Sequence, residues 1–158
     1  MKSAIGKDVL IIGGGAAGLM CAIEAGKRGR KVLLLERNER IGEKIRISGG
    51  GRCNFTNLYS TDENFLSKNP HFCKSALARY TPQDFIRLVE KHGINYHEKK
   101  LGQLFCDDSS RHIIGMLERE CDDAGVEILT QCTIHEVERS SLFTIRTDRG
   151  TFQSETLV

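Results

Sequence analysis

The tightest constraint on this chain is a change of texture near its start. An apolar run, Val9 to Ile12, breaks into Gly13-Gly14-Gly15-Ala16-Ala17-Gly18, an alanine-rich helical stretch follows, and a second apolar run, Val32 to Leu35, ends in Glu36. That order reads as strand, tight turn, helix, strand. Gly13, Gly15 and Gly18 have the spacing of a dinucleotide-binding turn, and Glu36 falls where an acidic ribose acceptor is expected. The first glycine permits the sharp turn and the second lets backbone approach a pyrophosphate. The third lets the helix pack closely on the strand. Beyond them the helix N-terminus, with Ala16 and Ala17 in its first turn, offers N–H groups and the positive end of its dipole to phosphate. Glu36 can accept from both hydroxyls of an unphosphorylated ribose and would repel a 2′-phosphate. An ordinary βαβ unit accounts for the strands and helix but leaves three glycines at this spacing unexplained.

Composition sets outer limits. A chain of 158 residues, 39% hydrophobic and 28% charged, suits one globular domain with a sizeable core and not a disordered segment. The net charge of +2 carries no global nucleic-acid signature. Locally, Lys27 to Arg52 holds nine Lys or Arg against three Glu. Pyrophosphate binding explains part of that stretch and solvated helix ends most of the rest, with RNA contact as a further reading. The residues before Asp8 lack the apolar core of a secretion signal, and no run approaches membrane-spanning length, so no membrane partner is expected. The cysteines at 21, 53, 73, 106, 121 and 132 show no CxxC spacing. Reduced cysteines in a cytoplasmic protein are the expectation, with neither a zinc knuckle nor a redox dithiol. His71, His92, His112 and His135 lack paired spacing, so no metal site is expected.

A second glycine cluster, Ser48-Gly49-Gly50-Gly51-Arg52-Cys53-Asn54, lies outside any helical or strand pattern. Such a loop can turn N–H groups onto an anion or lie flat against a ring system, and it also suits a flexible surface loop. The density of hydrogen-bonding groups at Ser48, Arg52, Cys53, Asn54, Thr56 and Asn57 favours a cofactor-facing loop. Arg52 has two readings: a bidentate partner for phosphate, or a structural bridge to Glu36 or Glu43.

Downstream, Pro70 to Arg79 predicts a short helix burying Phe72, Ala76 and Leu77. Thr81 is a natural N-cap, with Pro82 at the first helical position and Asp84 in the first turn. Phe85, Leu88 and Val89 form that helix's apolar stripe, and Gly93 stops it. Ile94 to Glu98 and Leu101 to Phe105 predict short strands joined across Lys99 to Gly102. Ser110 is expected to cap a helix with Ile113, Ile114, Leu117, Cys121 and Ala124 on its apolar face, which makes Cys121 a core residue. Val126 to Leu129 would extend a parallel sheet beside the second strand. Cys132 to Glu138, Leu142 to Thr147 and Thr151 to Val158 alternate as a three-stranded antiparallel meander. No repeat or linker marks a boundary, and the apolar Leu157-Val158 reads as a strand cut short.

This order is that of the two-dinucleotide-binding-type FAD fold, an α/β class in which a Rossmann-like parallel sheet with helices is joined to a three-stranded antiparallel meander. The residues narrow it. Gly42, Lys44 and the run from Ser48 to Asn57, SGGGRCNFTN, resemble the signature of the bacterial HI0933-like (YhiN-type) FAD/NAD(P)-dependent oxidoreductases. NPHFCKSALARYTPQDFI and HEKKLGQLFCDDSS are similar to the enterobacterial branch of that family. One departure stands out: many relatives have Phe-Pro where this chain has Phe105-Cys106.

The resemblance implies FAD bound in an extended form. Gly13, Gly15, Ala16, Ala17, Gly18 and Glu36 would hold its ADP half, with Arg37 and Lys44 beside it. Ser48, Gly49, Gly50, Gly51, Arg52, Asn54 and Thr56 would lie by the pyrophosphate and flavin. Residues 1–158 would be the N-terminal part of the FAD-binding domain, with 55–108 an insertion between the second and third sheet strands. The substrate domain and a C-terminal FAD segment would lie outside this chain.

The implied chemistry takes hydride from NADH or NADPH onto FAD and then to one carbon of an activated C=C bond in a ring substrate, while an acid protonates the other carbon. Conjugated steroid ketones and uracil rings of ribosomal RNA are the substrate classes the family brings. A uracil reductase of ribosomal RNA, forming dihydrouridine, is therefore one alternative; a truncated, inactive FAD-binding module is another, and the chain alone is expected to be inactive. Cys53, Cys106, His97 and Tyr80 are the chemically able acids. Cys53 lies beside Arg52, whose charge would lower a thiol pKa, but the preferred reading is a small packing residue.

Overall fold

The computed structural model describes residues 5–158. In chain order its elements are β1 (Ile5–Ile12), α1 (Ala16–Lys27), β2 (Val32–Leu35), α2 (Glu43–Ile47), a 3-10 turn at Ser48–Gly51, and β3 (Asn54–Asn57). A second 3-10 turn at Asp62–Asn64, α3 (Lys74–Arg79), α4 (Pro82–Lys91), β4 (Tyr96–Glu98) and β5 (Gln103–Cys106) follow. The chain closes with α5 (Arg111–Asp123), β6 (Glu127–Leu129), β7 (Ile134–Arg139), β8 (Phe143–Thr147) and β9 (Gly150–Leu157). Two compact units result: one joins the described residues up to Lys44 with Leu117–Val158, and the other is Ile45–Met116.

The first unit is built on one six-stranded sheet in the order β6-β2-β1-β9-β8-β7. β1 pairs in parallel with β2, Val9 opposite Val32 through Ile12 opposite Leu35, and β2 pairs in parallel with β6. All four residues of β2 are buried, as a central strand covered on both faces requires. The meander β7-β8-β9 is antiparallel, yet β9 also runs parallel to β1, with Leu10 opposite Leu157. β9 therefore belongs to both halves and makes a single mixed sheet. Its core gathers Leu10, Leu33, Leu35, Cys132, Ile145 and Phe152, all at most 5% exposed. α1 buries Leu19, Ala22 and Ile23. A Cβ at Gly26 would stand 2.5 Å from the Ala124 carbonyl oxygen, so α1 approaches the backbone after α5 more closely than any other residue permits. Close by, Lys27 meets the buried carboxylate of Glu120 at 2.6 Å.

The second unit has a three-stranded antiparallel sheet in the order β3-β5-β4. α4 begins as its residues dictate. Thr81 Oγ1 accepts the Asp84 N–H, and Asp84 Oδ2 accepts the Thr81 N–H at 2.7 Å, a closed capping box with Pro82 at N1. Ile86 and Val89 are its buried residues, so the stripe is centred one position from Phe85 and Leu88. Phe55 packs between Phe85 and Tyr96, at ring separations of 6.0 and 5.4 Å.

Two local expectations fail for identifiable reasons. The helix predicted from Pro70 starts only at Lys74, and Phe72 is 81% exposed, with Ala76 also exposed. Asn69 diverts the chain: its Oδ1 accepts the His71 N–H at 3.0 Å and its carbonyl accepts the Ser67 hydroxyl at 2.6 Å, a turn that competes with the first helical one. Ser110 precedes α5, but its hydroxyl donates to the Arg46 carbonyl at 2.9 Å instead of capping the helix. The expected apolar face of α5 holds from Ile113 to Cys121, with Met116 added; Cys121 is fully buried, its thiol pushed up to about 11 by burial first and the neighbouring Asp122 second.

Candidate dinucleotide site

In the first unit the glycine turn is built as the spacing requires. Gly13 has φ +105° and donates its N–H to the Leu35 carbonyl at 2.8 Å, so β1 turns away at the end of β2. A Cβ on Gly18 would fall 2.0 Å from the Gly13 carbonyl oxygen and 3.5 Å from Ile11 Cγ2. The third glycine thus lets the first turn of α1 close on the glycine turn as well as on the strand. Gly15 is the N-cap of α1, extended at φ −83° and ψ −178°, with no side-chain cap and no acid in the first turn. A Cβ there would meet nothing within 4 Å. Ala16 and Ala17, exposed, complete an open and electropositive helix end. These residues fit the pyrophosphate of a dinucleotide: space over Gly15, unopposed N–H dipoles, and no competing carboxylate.

Glu36 is 8% exposed, and each carboxylate oxygen already holds a backbone N–H at 2.7 Å, Oε2 that of Gly14 and Oε1 that of Asn38. A carboxylate accepts about four hydrogen bonds, so lone pairs are left for two ribose hydroxyls. These N–H groups, and not an arginine, orient Glu36. Gly14 is the residue that motif reasoning passed over. Its Cβ would lie 2.7 Å from Ile41 Cγ2 and 3.2 Å from Glu36 Oε2, and its carbonyl accepts the Gly42 N–H at 2.7 Å. The signal was present as a third glycine where the pattern asks for two. Arg37 and Lys44 are exposed. The basic stretch is partly neutralised: Lys27 pairs with Glu120 and Arg28 with Glu24.

In the second unit the other glycine loop is held, not free. Gly49 and Gly50 are left-handed at φ +57° and +67°, Gly51 follows at +87°, and Cys53 adopts +54°. Ser48 Oγ donates to the Ile45 carbonyl at 2.8 Å, Ser110 N–H to the Gly51 carbonyl at 2.7 Å, and Cys106 N–H to the Arg52 carbonyl at 3.0 Å. Cys53 N–H points back to the Ser48 carbonyl at 3.1 Å, so that donor is not offered to an anion. A Cβ at Gly49 would stand 2.7 Å from Phe105 Cε1, which lays the loop on the Phe105 ring. Arg52 and Asn54 are exposed and Thr56 is half-buried.

The cysteines do not behave as acidified thiols. Cys53 is 5% exposed, and burial pushes its thiol up against the opposing hydrogen bond with Ser48. Cys106 is fully buried and pushed up to about 11, by burial first and by the nearby Cys53 second. Both shifts run against the acidified thiol that the sequence suggested for Cys53 beside Arg52. His97 is better equipped. Its Nδ1 lies 2.7 Å from Asp107 Oδ1, and its ring stacks on Phe105 at 6.4 Å and 21°, the ring against which Gly49 rests. Asp107 was missed because its link to His97 depends on the β4–β5 pairing, which sets His97 opposite Phe105. Among the described residues no group of three His, Cys, Asp or Glu could hold a metal ion, and no helix is long and apolar enough to cross a membrane.

The chain is 52% identical over 152 residues to the ribosomal RNA dihydrouridine synthase of Escherichia coli, covering 96% of this chain and 38% of that protein. It is 28% identical over 152 residues to the 3-dehydro-bile acid delta(4,6)-reductase of Clostridium scindens, covering 94% of this chain and 37% of the relative. The chain thus spans less than two fifths of the length of either. In structure it resembles glycine oxidase from Geobacillus kaustophilus with a TM-score of 0.66 at 16% identity, over 98% of this chain and 55% of that one. Residues 7–158 match the family described as the HI0933-like protein Rossmann domain, and the chain belongs to that family.

Proposed function

We propose that the protein is an FAD-dependent reductase whose substrate is a uracil ring of ribosomal RNA. The observation that carries this reading is 52% identity along 96% of the chain to a protein named for dihydrouridine synthesis in that RNA. Bound FAD would supply the two-electron chemistry, taking hydride from NADH or NADPH and giving it to one carbon of the ring C=C bond. This chain's own residues would hold and orient. Gly13, Gly15, Gly18 and the first turn of α1 receive the pyrophosphate, with Arg37 and Lys44 beside it, and Glu36 accepts the ribose hydroxyls. The loop from Ser48 to Thr56 would be the further cofactor-binding segment that the family resemblance implies. His97, whose Nδ1 lies 2.7 Å from Asp107 Oδ1, would serve as the acid for the second ring carbon in place of the buried thiols of Cys53 and Cys106.

A broader reading, reduction of an activated C=C bond in a small ring substrate, draws on the similarity to the bile acid reductase. The test separates the two. The full-length protein is purified, its released cofactor is weighed by mass spectrometry, and the reduced protein is offered a ribosomal RNA fragment or a conjugated steroid ketone. FAD together with dihydrouridine formation supports the first reading. Steroid reduction without dihydrouridine supports the second, and a colourless protein that takes up no FAD contradicts both.

A further inference from the structure

The hairpin that joins β4 to β5 carries an exposed surface that the dinucleotide site does not use. Its tip reads Glu98-Lys99-Lys100-Leu101-Gly102. Leu101 stands at φ +52°, a conformation that side chains rarely adopt, and is 79% exposed. The tip is nonetheless rigidly built. Lys99 N–H donates to the Gln103 carbonyl and Gln103 N–H to the Lys100 carbonyl, both at 3.0 Å, and Gly102 N–H donates to Glu98 Oε1 at 2.8 Å. The neighbouring segment fastens it from outside: Asn57 Nδ2 donates to the Leu101 carbonyl at 2.8 Å, and Leu58 N–H to the Gly102 carbonyl at 2.9 Å.

Asn57 also accepts the Tyr59 N–H at 2.8 Å, and a Cβ on Gly102 would lie 2.6 Å from Tyr59 Cδ2. Tyr59 is therefore set against the tip while 68% of its surface stays exposed. Lys99 and Lys100 are both exposed, and no ion pair engages either among the described residues. Lys99 Nζ lies 5.2 Å from the Phe105 ring centre, a contact that positions the ammonium without neutralising it. Two adjacent uncompensated cations beside a fixed, open aromatic ring are what a single-stranded nucleic acid needs: charge for its phosphates and a platform for one base.

We infer that this tip is an RNA-contacting surface, with Lys99 and Lys100 on phosphates and Tyr59 stacking on an unpaired base. The inference rests on the ribosomal RNA reading and names where that partner is held. It is tested by fluorescence anisotropy of a labelled, uridine-containing single-stranded RNA oligonucleotide titrated with the full-length protein across a range of salt. Lys99→Ala with Lys100→Ala is expected to flatten the slope of log affinity against log salt by about 1.4, twice the single-strand value per phosphate. Tyr59→Ala is expected to weaken binding about tenfold or more, while Tyr59→Phe, which keeps the ring, stays close to wild type. Wild-type binding that these substitutions leave unchanged in affinity and slope overturns the inference alone, and assigns this surface to another occupant such as a further part of a longer chain. A wild-type protein that binds no RNA overturns the inference and the ribosomal RNA reading together.

Discussion

Glu36 Oε2 accepts the buried N–H of Gly14 at 2.7 Å, across 22 positions of sequence. The bond ties the glycine turn after β1 to the residue after β2, so the pyrophosphate end and the ribose end of the proposed site are set by one contact. Glu36→Gln should disrupt both. A glutamine amide has only one oxygen, so either Gly14 or Asn38 N–H would face an NH2 group. Leaving a buried donor unsatisfied costs about 1–3 kcal/mol. Urea unfolding is expected to show that loss, and FAD titration a weaker affinity; unchanged values for both would mean that the contact organises neither.

Gly15 and Gly18 should separate cofactor binding from folding. Alanine at Gly15 meets no protein atom within 4 Å and keeps an ordinary extended backbone, whereas alanine at Gly18 would sit 2.0 Å from the Gly13 carbonyl oxygen. Gly15→Ala is expected to leave the cofactor-free melting temperature unchanged while lowering flavin content at purification. Gly18→Ala is expected to lower both. Full flavin occupancy in Gly15→Ala would place the pyrophosphate elsewhere.

Thiol chemistry should follow burial. Cys21 and Cys73 are half-buried, whereas Cys53, Cys106 and Cys121 are buried with raised pKa values. A thiol raised to about 11 is nearly all protonated at neutral pH, and its thiolate fraction grows about tenfold per pH unit as pH rises toward that value. Iodoacetamide at pH 7.5 followed by peptide mass spectrometry is expected to find Cys21 and Cys73 labelled first, with Cys106 gaining only as pH climbs. Fast labelling of Cys53 at pH 7.5 would restore it as a reactive thiol.

His97 and Asp107 should matter to one half-reaction only. Removing a general acid slows proton transfer by about a hundred- to ten-thousandfold. His97→Gln is expected to leave flavin content and reduction by NADH or NADPH intact while slowing product formation, and Asp107→Asn to do the same more weakly. Equal slowing of both half-reactions would assign His97 a structural role.

Much of this was legible in local pattern. The path from β1 through the glycine turn to Glu36 follows from apolar runs and glycine spacing alone. The start of α4 follows from Thr81, Pro82 and Asp84, three residues within one turn. What escaped depends on partners far along the chain. The Gly14–Glu36 bond needs β1 and β2 already paired, and the burial of Cys53 and Cys106 follows from the contact between the glycine loop and β5. The double membership of β9, antiparallel to β8 and parallel to β1, is invisible in a pattern that reads as plain alternation. The exposure of Phe72 turned on Asn69, whose side chain competes with the helix that the apolar spacing suggested.

Nucleoside mass spectrometry reads out the proposed reduction of uridine in ribosomal RNA. Ribosomal RNA is digested from cells carrying the gene, from cells lacking it, and from deleted cells complemented with wild type or with Gly15→Ala. Dihydrouridine is expected in the first, with its loss in the second and its return with the wild-type gene but not with Gly15→Ala. An unchanged dihydrouridine content after deletion would contradict the proposed reduction.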